Sequence, residues 1–222
     1  MKINFKHLFK GKVVIVGIGH PLRGDDALGP SLVKRLDGHL DALCIDAGSA
    51  PENYLGKIIK ASPDVILFID AVDFNKEPGF YKILEQEEIL KTGFTTHDLS
   101  PKMLIEYLST ETKAKMYLLG IQPKDLELGG QISLPVQEAL GELERLLRIE
   151  SIIKGILEHT QKESAQSVLK VHLKVGFLTG FKEESFKETF RMLAQGTLLE
   201  KARLELTFFP GTRVEVISFD IE

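Results

Sequence analysis

An α/β domain with a mostly parallel, twisted sheet, followed by a small α+β domain, is the fold this sequence predicts. Three observations carry that expectation. Apolar β-branched runs alternate with helical patterns up to about residue 147. One of them, Val65-Ile66-Leu67-Phe68-Ile69, is continuously apolar, as a strand covered on both faces is. After residue 148 the rhythm changes, and the last strands alternate apolar with polar residues. The βαβ order puts helices on both faces of the first sheet, a three-layer α/β/α arrangement. The expected division is 1–148 and 149–222.

The elements follow in order. Val13–Val16 reads as the first strand. A helix from Asp25 to Leu36 has Leu28, Leu32, Val33 and Leu36 on one face. Ala42–Asp46 is a second strand and Glu52–Ala61 a second helix, with Leu55, Ile58 and Ile59 apolar. Asp64–Val72 is the third strand, and Gly79–Leu84 reads as an antiparallel one. A helix over Ser100–Leu108 has Ser100 as its N-cap and Pro101 at the first helical position. Lys115–Gln122 is a further strand and Leu134–Leu147 the closing helix. The second domain reads α-β-α-β-β: helix Ile149–Glu163, strand Ser167–Val175, helix Lys182–Leu193, then strands Ala202–Phe208 and Arg213–Ile221. A turn at Pro210-Gly211-Thr212 joins the last two, and the alternation slips near Ser218. The stretch around 148 is poor in Gly and Pro, so the domains share a continuous helix or pack tightly.

Composition excludes several classes. The 222 residues are 43% hydrophobic and 27% charged with a net charge of −4, ordinary for a globular protein and without the basic clustering of a nucleic-acid surface. The single cysteine, Cys44, rules out an internal disulfide and a multi-cysteine zinc site. It is flanked by apolar residues and reads as a core thiol. No segment approaches the roughly 20 apolar residues of a membrane span. A reducing, cytoplasmic setting is expected.

The residues that can carry chemistry cluster at strand ends. Gly17-Ile18-Gly19-His20 ends the first strand, and Gly24-Asp25-Asp26-Ala27-Leu28-Gly29 opens the helix after it. In open α/β sheets ligands bind at the carboxyl edge of the strands. Asp26 and Asp70, which closes the Val65–Ile69 run, converge on that edge. His97 lies in Phe94-Thr95-Thr96-His97-Asp98-Leu99, just before a helix. Two carboxylates and one imidazole leave positions open on a divalent transition metal, which can polarise a carbonyl or activate water. The competing reading is that such acids cap the next helix. Asp46, ending the second strand, binds a substrate amide or cation, or forms an Asx-turn before Gly48. Asp25 reads as a supporting or capping acid and Asp73 as a solvated one. The other histidines are scattered. Gly17-x-Gly19 lacks the third glycine of a dinucleotide fingerprint, position 22 being Leu, and there is no Gly-Lys-Ser/Thr for a P-loop.

In these motifs residues 13 to about 147 resemble the hydrogenase maturation proteases that trim nickel–iron hydrogenase large subunits. Five segments match the family pattern in order: the glycine turn at Gly17–His20 with the acidic pair Asp25-Asp26, Asp46-Ala47-Gly48-Ser49, Asp70-Ala71, Thr95-Thr96-His97, and Gly120-Ile121-Gln122-Pro123. The resemblance implies a nickel-dependent endopeptidase. Asp26, Asp70 and His97 would contact nickel already placed in the large-subunit precursor, and a C-terminal extension would be removed. Asp46, Gly48, Gly19 and His20 would line the substrate site. Two departures stand out: His20 replaces the usual Asn, and Ala27 a common Gly. His20 reads as an extra ligand or a turn residue.

The run Val168-Leu169-Lys170-Val171-His172-Leu173-Lys174-Val175-Gly176-Phe177-Leu178-Thr179-Gly180-Phe181, with Gln195-Gly196-Thr197 after it, resembles the hydrogenase nickel-insertion metallochaperones. That family's Met-His-Glu nickel site is absent, as are the four cysteines of its zinc loop. Residues 149–222 therefore read as a docking domain without metals, binding the large subunit or a nickel-delivery GTPase or metallochaperone. The alternative for the whole chain is a non-catalytic checkpoint or scaffold that binds the large subunit and nickel-delivery proteins.

Overall fold

The computed structural model describes residues 8–91 and 101–222. His7, the Thr95-Thr96-His97 segment and the expected cap Ser100 lie outside the described residues.

Two compact units are present, Met1–Glu144 and Arg145–Glu222. The first is built on five strands: β1 (Val13–Ile18), β2 (Leu43–Gly48), β3 (Val65–Ala71), β4 (Tyr81–Glu85) and β5 (Lys115–Ile121). Their order is β2-β1-β3-β5-β4. The first four strands in that order run parallel, and β4 pairs antiparallel with β5. Every residue of β1 and β3 is buried, which explains their continuous apolar runs. β2 is an edge strand, with Ile45 and Ala47 buried and the alternate residues open.

The chain leaves β1 toward β2 and later enters β3 on the other side of β1. The carboxyl ends of β1 and β3 therefore flank the point where the strand order reverses, which leaves a crevice outside the sheet.

Helix α1 (Leu28–Leu36) buries Leu28, Leu32, Val33 and Leu36 and packs on β1, β2 and β3. It starts later than its apolar stripe predicts, because Gly24–Ala27 form a 3-10 turn. The carboxylate of Asp25 is turned inward there instead of opening the helix. Gly29 brings this first turn against the sheet. A Cβ on it would lie 2.3 Å from the Ile18 carbonyl oxygen and 2.5 Å from that of Ile69. The other face carries α2 (Leu55–Lys60), α3 (Gln86–Lys91) and α4 (Pro101–Glu111). Ile58, Ile89, Leu104, Ile105 and Leu108 join Val14, Val16, Ile66 and Phe68 in one buried cluster. α3 was not expected: its sequence is mostly Gln, Glu and Lys, with little apolar periodicity to announce it.

The residues read as two helices divided at 148 form one helix, α5 (Leu134–Lys162). The second unit's sheet has β6 (Val168–Gly176) between β7 (Arg203–Phe209) and β8 (Val214–Ile221). β7 pairs parallel with β6 and β8 antiparallel. The crossover helix α6 (Glu183–Ala194) buries Phe186, Phe190 and Leu193. Between β6 and β8 the partners jump from His172↔Ser218 to Leu173↔Val216. Ile217 is the extra residue, so the slip in alternation is a β-bulge.

Cys44 is only partly buried on the edge strand β2, and so is not a core thiol. Burial, with the charge of Asp37 added, still pushes its pKa up to about 12. The nucleophile is the thiolate. Native protein at pH 8 should therefore react with a disulfide reagent at least about tenfold slower than unfolded protein. A stopped-flow titration of the thiol in both states checks this.

Candidate functional site

Asp26 and Asp70 approach each other at the crevice between the ends of β1 and β3. Asp70 is the penultimate residue of β3 and is 2% exposed. Its Oδ1 accepts a hydrogen bond from the Ala71 N–H at 2.8 Å. Its Oδ2 is buried and has no hydrogen-bond partner among the described residues. Burial first, and the charge of Asp26 second, push its pKa up to about 8, against the lowering effect of the Ala71 N–H. A buried, half-satisfied carboxyl facing a second carboxylate costs folding energy. Such strain persists where function needs it.

Asp26 closes in from the 3-10 turn after β1. It does not cap that turn. Its Oδ2 accepts the His20 N–H at 2.8 Å. Gly19 makes this closeness possible, since at its φ of +131° a Cβ would sit 1.8 Å from the Asp26 carbonyl oxygen. The Gly19 N–H also donates to the Gly48 carbonyl oxygen at 2.9 Å, tying the end of β1 to the end of β2.

His20 acts in the turn: its Nδ1 accepts the Leu22 N–H at 3.1 Å. With that lone pair used, the neutral ring carries its proton on Nε2. Asp46 forms the Asx-turn, accepting the Gly48 N–H at 3.2 Å, and its other oxygen pairs with Lys34 Nζ at 3.2 Å. Thus Asp26, Asp70, Asp46, Gly48, Gly19 and His20 all lie along the carboxyl edge of β2, β1 and β3. His97 lies outside the described residues. Among the described residues no group of three His, Cys, Asp or Glu side chains is placed to hold a metal.

Two residues support the site through partners the sequence did not show. Asp25 is fully buried and is a cross-chain tie. Its carboxylate accepts the N–H groups of Lys124 (2.7 Å), Asp125 (3.1 Å) and Ser133 (2.6 Å), and the Ser133 hydroxyl (2.8 Å). It fixes the loop before α5 against the turn that carries Asp26. Gln122, just past β5, fixes the loop after β3. Its Oε1 accepts the Phe74 and Lys76 N–H groups, and its Nε2 donates to Asp73 Oδ1 and the Pro123 carbonyl. Asp73 is therefore not merely solvated: the Asn75 N–H and then the Gln122 amide hold its pKa below the usual range. The Gly-Ile-Gln-Pro segment held the only sequence signal for Gln122. For Asp25 the signal was the acidic pair itself, with no indication of partners about a hundred residues away.

The chain is similar in sequence and fold to known proteins. Residues 30–149 match the HycI family, described as hydrogenase maturation protease. Residues 146–214 match the family described as hydrogenase/urease nickel incorporation, metallochaperone, hypA. The hydrogenase 3 maturation protease of Escherichia coli K12 is 31% identical over 130 residues, 57% of this chain and 83% of the relative. Among solved structures, a nickel–iron hydrogenase maturation protease HycI from Thermococcus kodakarensis superposes with a TM-score of 0.62 at 31% identity, covering 67% of this chain and 98% of that one. The solution structure of an endopeptidase HycI from Escherichia coli gives 0.57 at 29% identity, covering 62% and 90%.

Proposed function

Because the chain belongs to the hydrogenase maturation proteases, we propose that it is the endopeptidase that removes the C-terminal extension of a nickel–iron hydrogenase large-subunit precursor after nickel insertion. The observation that carries this reading is the buried Asp70 Oδ2, which has no hydrogen-bond partner among the described residues and feels the charge of Asp26 at the strand crossover. Two carboxylates held close raise each other's cost of ionisation, and a cation brought between them removes that cost. Nickel here belongs to the substrate. Asp26 and Asp70 supply oxygen ligands, and His97 a nitrogen from its loop. This mixed set suits a divalent transition metal that keeps other ligands of its own.

Engagement of the metal site aligns the adjoining peptide with the carboxyl edge. Asp46, fixed by Gly48 and Lys34, offers a carboxylate to a substrate N–H. Hydrolysis then adds water to the scissile carbonyl, breaks the C–N bond and delivers the proton to the leaving amine. Asp26→Asn tests the assignment. It keeps the acceptor for the His20 N–H but loses the charge, and is expected to lower kcat/KM for precursor cleavage at least about a hundredfold. Unchanged cleavage by a folded variant refutes the role of Asp26.

The second unit resembles the nickel metallochaperones without their metal motifs, and we read it as a docking unit for the large subunit or a nickel-delivery protein. The proposed setting is the cytoplasm. No helix among the described residues is long and apolar enough to cross a membrane.

A further inference from the structure

Leu22 and Leu128 are 63% and 75% exposed, yet they sit on backbone tied by hydrogen bonds between two segments. The turn carrying Leu22 and the loop carrying Leu128 are braced against each other. The Gly129 N–H donates to the Leu22 carbonyl at 2.8 Å and the Asp25 N–H to the Asp125 carbonyl at 2.8 Å. Arg23 Nε donates to the Leu126 carbonyl at 3.3 Å. The Asp25 carboxylate adds its bonds to Lys124, Asp125 and Ser133 from beneath. Surface loops are commonly polar and mobile. Large apolar side chains on a pre-organised backbone are instead what an interface anchor needs, because little conformational entropy is lost on binding.

A groove of about 550 Å³ adjoins this platform, within the size range of sites that seat small ligands or short peptide segments. Pro21, Ala27, Pro30 and Ile132 give it apolar lining, Ser31 and Gln137 supply neutral polar groups, and Lys34 and Arg35 also line it. Gly24 and Ala27, two of its lining residues, flank Asp25 and Asp26 in the chain. From Ala27 it follows one face of α1 to Lys34, a rise of about 10 Å, which an extended chain spans in about three residues.

We propose that the braced loop pair and its groove grip the C-terminal segment of the precursor, with Leu22 and Leu128 receiving apolar side chains of that segment as it passes Asp26. The assignment rests on the substrate reading above. It adds which surface recognises the segment and by what chemistry: apolar contact on a rigid rim.

The test is precursor binding by biolayer interferometry, with Leu22→Asp/Leu128→Asp and Leu22→Ala/Leu128→Ala compared with the full wild-type chain. The precursor is used both with and without its C-terminal extension. Both leucines are exposed, so melting temperatures should stay within a few degrees of wild type. The Asp pair is expected to weaken binding of the extended precursor at least tenfold and the Ala pair about threefold. In cleavage assays KM should rise while kcat holds. Wild type should bind the precursor lacking its extension at least tenfold more weakly. Wild-type affinity in both variants, equal affinity for the two precursors, or no binding at all overturns the proposal. So does a wild-type dimer that the Asp pair dissociates, which gives the surface to a second copy. Loss of binding in the variants without cleavage by wild type leaves the docking surface standing and removes the protease reading. Cleavage by wild type with unchanged KM in the variants does the reverse.

Discussion

Asp70→Asn is expected to abolish precursor cleavage and, at the same time, to make the protein more stable. The two effects share one cause. At Asp70 a carboxyl group is buried, with one oxygen unpartnered among the described residues and Asp26 beside it. In the unfolded chain it ionises near 3.8 and in the folded protein near 8. Between those values the folded state binds the extra proton, so the stability contributed here falls as pH rises through that window. An amide carries no such penalty and still accepts the Ala71 N–H. A gain on the order of 2 kcal/mol at pH 7, or about 4–8 °C in Tm, is expected once relaxation is allowed for. Thermal melts of wild type and variant in chelator should coincide near pH 4, diverge through neutrality and hold a constant gap above about pH 8. A destabilised variant, or a gap independent of pH, contradicts the assignment of strain to this carboxyl.

Asp25→Ala should act in the opposite sense. It leaves three backbone N–H groups and one hydroxyl without their acceptor, in a place where Asp25 is fully buried. A loss of about 3–5 kcal/mol is expected, at the upper end for a single substitution. The effect should also be local. Hydrogen exchange at the amides of Lys124, Asp125 and Ser133 should accelerate at least tenfold more than at the β3 core amides. Cleavage should fall at least about tenfold, because the tie positions the turn that carries Asp26. Uniform acceleration across the sheet would instead mean that Asp25 supports the whole domain and not this loop.

These two aspartates show what the sequence could and could not reveal. The run Val65–Ile69 announced a doubly covered strand, and an acid at its end pointed to the carboxyl edge, because strand burial and sheet edge are local consequences of pattern. The bulge at Ile217 was legible for the same reason, as a break in period-two alternation. The late start of α1 was not, since the inward turn of Asp25 depends on partners at 124–133. Nor was α3, whose Gln-Glu-Glu start carries little apolar signal. The depth at which Asp70 is buried is a property of packing that no spacing encodes. Asp46 held two readings in the sequence, and both partners in the structure, Gly48 and Lys34, engage its carboxylate at once.

The central claim is that nickel on the substrate licenses a single cut made at the Asp26–Asp70 crevice. The most direct test incubates the full chain with the large-subunit precursor, nickel-loaded and nickel-free, and follows the precursor by intact mass spectrometry. Loss of one discrete C-terminal peptide from the nickel-loaded precursor, with none from the nickel-free one, is the expected result. A nickel-loaded precursor that keeps its mass while forming a stable complex would contradict the claim and make the chain a checkpoint, and equal cleavage without nickel would remove the metal from recognition.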